Sequence, residues 1–153
     1  MIETDTPVEP ISLTLRQVML AELHFRNRQL EMPVLQAVQI SWQSQITVGV
    51  AHAVDHPDQV RVRAELTVTY PDDGSPQPFD IKVALVGFFE APRPLLPEEL
   101  VTIAQGQSLR ALWPYLQENV LNVTSRAGGP PFVFPPEAPA LGVNDLVDAE
   151  PHT

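Results

Sequence analysis

A chain of 153 residues with 44% hydrophobic side chains is sized for one domain with a buried core. Its net charge of −10 argues against nucleic acid and anionic membrane surfaces as partners. The absence of cysteine removes disulfides, thiolate metal sites and thiol nucleophiles.

The acidity gathers near the ends, at Glu3, Asp5 and Glu9 and again at Glu137, Asp145, Asp148 and Glu150. This composition predicts a disordered acidic tail over 1–10, a domain over 11–149 and a short tail over 150–153. The opening MIETDTPVEP has neither the basic nor the apolar region of a signal peptide. No run approaches the roughly 18 apolar residues of a membrane span. The expectation is a cytoplasmic chain that does not insert into membranes.

From Ile11 to Phe25 the odd positions are mostly apolar and the even ones mostly polar, which predicts a long strand with one buried face. The following RNRQLEMPVLQA is too long for a hairpin and reads as a crossover between strands that are not neighbours. Val38 to Val54, Val60 to Tyr70 and Phe79 to Phe89 each alternate. The turns Asp55–Asp58 and Pro71–Gly74 separate them, and Gly74 can supply a positive φ. These three strands form an antiparallel meander, with the first strand added at one edge.

Pro97-Glu98-Glu99 opens a short helix to about Gln105. Leu109, Leu112, Trp113, Leu116, Val120 and Val123 then mark one stripe of a long helix, kinked at Pro114 and stopped by Gly128-Gly129. A Pro-Phe-rich extended segment follows, and a weak helix is expected from Pro139 to Ala149. The fold class is therefore α+β, a four-stranded antiparallel sheet on one long kinked helix with a short C-terminal helix. One such helix, about 30 Å long, covers four long strands poorly. Val86 and Phe88, moreover, are apolar on the face that should be wet. Both features point to surface closed by another subunit or left for a ligand.

Signals for catalysis are lacking. His52 and His56 lie four apart where a strand meets a turn, without a third imidazole or an HExxH, and read as loop histidines. Asp72-Asp73-Gly74 lacks the remaining ligands of a calcium loop. Neither Glu98-Glu99 nor Asp72-Asp73 has the buried setting that paired catalytic carboxylates need. The chain is expected to be no enzyme and to carry neither cofactor nor metal.

The segment LWPYLQENVLNVTSRAGGPPFVFPP, Leu112 to Pro136, resembles the signature region of SecB, the tetrameric export chaperone. Trp113 stands at that family's aromatic position, and Pro114-Tyr115, Glu118, Ser125-Arg126, Pro130 and Pro136 match its pattern. Upstream, Trp42-Gln43, Leu66 to Thr69 and Gly87-Phe88-Phe89 are similar to family strands. The resemblance implies a dimer of dimers that binds unfolded preproteins in apolar grooves, as an ATP-independent holdase for export. It implies client contacts at Leu30, Met32, Val34, Leu35, Trp42, Phe132, Phe134, Leu141 and Leu146. Trp42, on the inward face by period, serves either the core or the groove. Oligomer contacts are expected at Leu112, Tyr115, Asn119, Val86 and Phe88.

The same resemblance makes the motor SecA a candidate partner, through acidic residues on the sheet. Glu22 is kept, but Arg26 and Lys82 stand where the family carries acids, and such a reversal repels a basic partner. A related reading is a SecB-like chaperone dedicated to one partner, such as an antitoxin. A small-ligand carrier and a structural subunit are alternatives of other classes.

Overall fold

The computed structural model describes residues 11–29, 42–53, 55–72, 74, 77–128, 134 and 146–148. Four strands are long: β1 Thr14–Asn27, β2 Gln43–His52, β3 Gln59–Thr69 and β4 Phe79–Glu90. They lie in the order β1-β4-β3-β2, every pair antiparallel. The meander is as expected, and β1 joins it beside β4. β1 and β2 are therefore separated by two strands and are not neighbours, as the length of the sequence between them predicts. Gly74 has φ +80° in the β3–β4 turn.

One face of the sheet is packed by helix. Val60, Val62, Ala64, Leu66 and Val68 of β3 alternate into the core with Phe79, Ile81, Val83, Leu85 and Phe89 of β4. Helices α1 Pro97–Ile103 and α2 Leu109–Arg126 cover them, with Leu109, Leu112, Trp113, Leu116 and Val120 inward. The two helices are joined without a break by a π-helical turn, Ala104–Ser108. Pro114 lies inside α2, the kinked helix of the expected fold. Gly87 lets the helix come close, because a Cβ there would lie 2.9 Å from the Leu112 side chain.

Two expectations are corrected. The first strand does not keep one buried face. Its register against β4 skips Arg16 and Ala21, two bulges that each insert one residue and exchange the faces. Leu15, Val18, Leu20, Leu23 and Phe25 consequently pair with Phe89, Gly87, Leu85, Val83 and Ile81 on the helix side. Gln17 and Met19 pair with Phe88 and Val86 on the outer face. An unbroken pleat would have buried Gln17, and the bulges remove that conflict.

The second correction concerns the weak helix over Pro139 to Ala149. The described part of that stretch, β5 Leu146–Asp148, is a strand. It lies parallel to β2, with Leu146, Val147 and Asp148 opposite Val48, Gly49 and Val50. The sheet thereby gains a fifth strand at its β2 edge.

Candidate functional site

Three surfaces carry candidate chemistry. The first is aromatic. Trp42 precedes β2, Trp113 projects from α2, and Phe134 lies beyond the α2 C-terminus. The Phe134 ring is 4.9 Å from Trp42 at 72° and 5.7 Å from Trp113 at 85°, edge to face with both. Trp113 is buried, whereas Trp42 and Phe134 are half-buried against the core. The aromatic cluster is thus continuous with the core at Trp42. Trp42 and Phe134 are among the expected client contacts, whereas Trp113 is expected on the helix stripe and at the family's aromatic position, not among those contacts. Its hint was the adjacent Pro114, which marks the same turn as a family position.

Of the other predicted client residues, Leu30, Met32, Val34, Leu35, Phe132 and Leu141 lie outside the described residues. The backbone of Leu146 is placed in β5, beside Val48.

The second surface is the outer face of the sheet. Glu22 of β1 and Glu65 of β3 flank Ala84 of β4 in the ladder. Ala84 is small and fully buried beneath them. Arg63 reaches both carboxylates, Glu22 at 3.2 Å and Glu65 at 3.4 Å. Lys82 reaches both at 3.6 Å. Two acids and two bases thus close on one another, and Glu22 is neutralised by Lys82 itself. Arg16 pairs with Glu90 and Arg28 with Asp80, while Arg26 lies opposite Asp80 in the ladder. Exposed pairs of this kind add little stability, but they leave no acidic patch across these positions.

The third surface runs along β1. Leu20 and Leu23 point to the helix side yet stay 51% and 41% exposed. Leu112 points at Gly87 on β4 and Trp113 towards the β2 side. With about 100° per residue, Tyr115 falls on the opposite flank, facing β1, and is 41% exposed. Asn119 donates from Nδ2 to the Tyr115 carbonyl at 2.8 Å. Met19 is 48% exposed on the other face, next to half-buried Val86. Leu112 is reassigned from oligomer contact to core, since it is fully buried under its own sheet.

Among the described residues no cluster of three or more His, Asp or Glu could hold a metal, and no helix is long and apolar enough to cross a membrane.

An antiparallel four-stranded sheet backed by one long kinked helix is the SecB-like fold. No protein-family model matches the chain, and no curated protein matches it. Solved structures do. The SecB-like chaperone Rv1957 of Mycobacterium tuberculosis, solved with a ChAD peptide from the antitoxin HigA1 (Rv1956), superposes with a TM-score of 0.68. The identity is 17%, over 80% of this chain and 89% of that one. A protein of unknown function from Streptococcus agalactiae gives a TM-score of 0.50 at 16% identity, over 81% of this chain and 98% of that one.

Proposed function

We propose that this chain is an ATP-independent chaperone that holds unfolded polypeptide on the apolar surface around Trp42. The observation that carries this reading is the aromatic cluster of Trp42, Phe134 and Trp113, continuous with the core and only half-buried at its mouth. Unfolded chains offer apolar side chains without a fixed order. An apolar surface therefore gives affinity without reading sequence. The SecB-like fold and a structural neighbour that binds a peptide support it. Light scattering of an aggregating unfolded protein is the test. Stoichiometric amounts should suppress aggregation equally with and without ATP, and failure to do so ends this reading.

The bare strip of Leu20, Leu23 and Tyr115 supports assembly, as a homotetramer built from dimers. A clean monomer at micromolar concentration in sedimentation would remove that part.

A second reading, a chaperone dedicated to one partner such as an antitoxin, draws on the outer face. Glu22 is compensated by Lys82 and Arg63, so SecA would meet no acidic patch there. Export under SecA predicts capture of purified SecA by the immobilised chain at low salt. Dedication to one partner predicts that SecA passes through.

A further inference from the structure

Two short parts of the chain after α2 occupy places that an extended polypeptide would use. Phe134 sets its ring edge-on to both tryptophans of the protein. β5 adds backbone to the edge of β2 at Val48–Val50. Strand addition and aromatic insertion are the two means by which an unfolded chain docks on a sheet edge beside an apolar slot. Here both are supplied in cis. Gly128, with φ +70°, sits where α2 ends.

We propose that Phe134 and β5 are a resident stand-in for the client, and that binding proceeds by their displacement. This rests on the polypeptide-binding reading above. The stand-in is built to be weak. β5 is only three residues long, and its parallel pairing with β2 is the single parallel ladder among the described residues. Parallel pairs are less stable per residue than antiparallel ones, and three positions give few bonds to break. Phe134 itself is half-buried, so its ring keeps a route to solvent. The fully buried core is drawn from the four long strands and the helices, and Phe134 is only packed against it.

The energetic consequence follows from competition. A site filled in cis binds with an apparent affinity reduced by the fraction of molecules in which it is open. Removing the stand-in raises affinity by the inverse of that fraction. It also abolishes the step that ties client binding to a change around Trp42 and Trp113. The occupied slot keeps both tryptophans from presenting an open aromatic surface between clients.

Full-length wild type, Phe134→Ala and Val147→Pro are titrated with fluorescein-labelled, reduced and carboxymethylated ribonuclease A, a permanently unfolded probe without tryptophan. Proline at 147 cannot donate to the β2 edge and leaves the four long strands intact. Both variants should bind tighter than wild type, by roughly three- to tenfold. Intrinsic fluorescence gives a second reading, since both tryptophans touch Phe134. Probe binding should shift the emission of wild type. Phe134→Ala should start from the shifted emission and change less. If wild type binds the probe and both variants bind equally well or more weakly, Phe134 is an ordinary part of the groove wall and the stand-in is overturned. If neither wild type nor variants bind, the polypeptide-binding reading falls and the stand-in falls with it.

Discussion

The two edges of the sheet are handled differently. At the β2 edge the chain's own β5 completes part of the ladder, and an aromatic cluster closes the corner beside it. At the β1 edge fourteen residues of strand have only β4 as a described neighbour, and Leu20 and Leu23 stay open to water. Edge strands are open templates, and proteins cover, twist or charge them. The β2 edge is covered in cis. β1 is twisted by two bulges but keeps Leu20 and Leu23 bare. The contrast is between an edge covered in cis and an edge left bare.

The largest effect should come from a residue that belongs to neither edge. Leu112→Ala removes a fully buried side chain between α2 and Gly87 and should cost about 2–5 kcal/mol in a urea titration. Its association state should not change where the fold survives, because Leu112 has no free surface. If the substitution loosened the oligomer and spared the monomer, the core assignment would be wrong. Leu20→Glu with Leu23→Glu is the opposite experiment. It should leave the urea midpoint nearly unchanged but weaken self-association by about 1–2 kcal/mol per site, read by sedimentation equilibrium. Equal association of the double variant and the wild type would remove β1 as the assembly edge.

The same contrast shows what was legible beforehand. β2, β3 and β4 keep an unbroken register, and in β3 and β4 the apolar alternation in sequence maps onto burial in the core. In β2 it holds only as far as Val48, with Val50 half-buried and Ala51 buried. β1 does not follow its alternation, because its two bulges exchange the faces; the marks in the sequence are Gln17 on the supposedly buried face and Val18 and Leu20 on the supposedly wet one. Leu146–Asp148 could not be assigned from sequence, since a short apolar run fits a helix or a strand and here the edge of β2 decides. The π-helical turn at Ala104–Ser108, which fuses two expected helices, has no sequence signal either. The overall fold came from the resemblance around Pro114-Tyr115, and the meander from periodicity. At the candidate site, Trp42 and Phe134 were named, but their meeting with Trp113 required three distant segments to converge.

A third prediction concerns the hairpin that links the two halves of the sheet. The Tyr70 hydroxyl donates to the Phe79 carbonyl and accepts from the Phe79 amide, which clamps the end of β3 to the start of β4. Tyr70→Phe should cost about 1 kcal/mol at neutral pH. Burial is the main reason that the Tyr70 pKa is pushed up to about 12. The folded value lies above the ordinary 10.0, so the contribution is complete below pH 10 and is lost as pH rises through about 12. Wild type should therefore lose stability over that alkaline window by a step that the phenylalanine variant lacks. Alkaline curves that run parallel would show that the hydroxyl contributes nothing through ionisation.

The smallest effect should be at the start of α1, far from either edge. Arg93 donates both guanidinium nitrogens to Glu99, Nη1 to Oε1 at 2.9 Å and Nη2 to Oε2 at 2.7 Å. The Leu96 amide donates to Glu99 Oε1 at 3.0 Å, so the carboxylate also caps the helix. Its pKa is lowered to about 2, first by the Arg93 hydrogen bond and then by the Leu96 amide. A depressed carboxylate stabilises the fold above its unfolded pKa, near 4.5, and loses that contribution as pH falls through about 2. Glu99→Gln should thus be slightly less stable than wild type at pH 7. The difference should shrink below pH 4.5 and vanish near pH 2, as followed by thermal melts across that range. The Arg93 side of the pair is open to solvent, so salt should also narrow the gap at pH 7. Neither probe binding nor association should move with this substitution. A change in either would mean that the helix start communicates with an edge, and the separation of the two edges would then have to include α1.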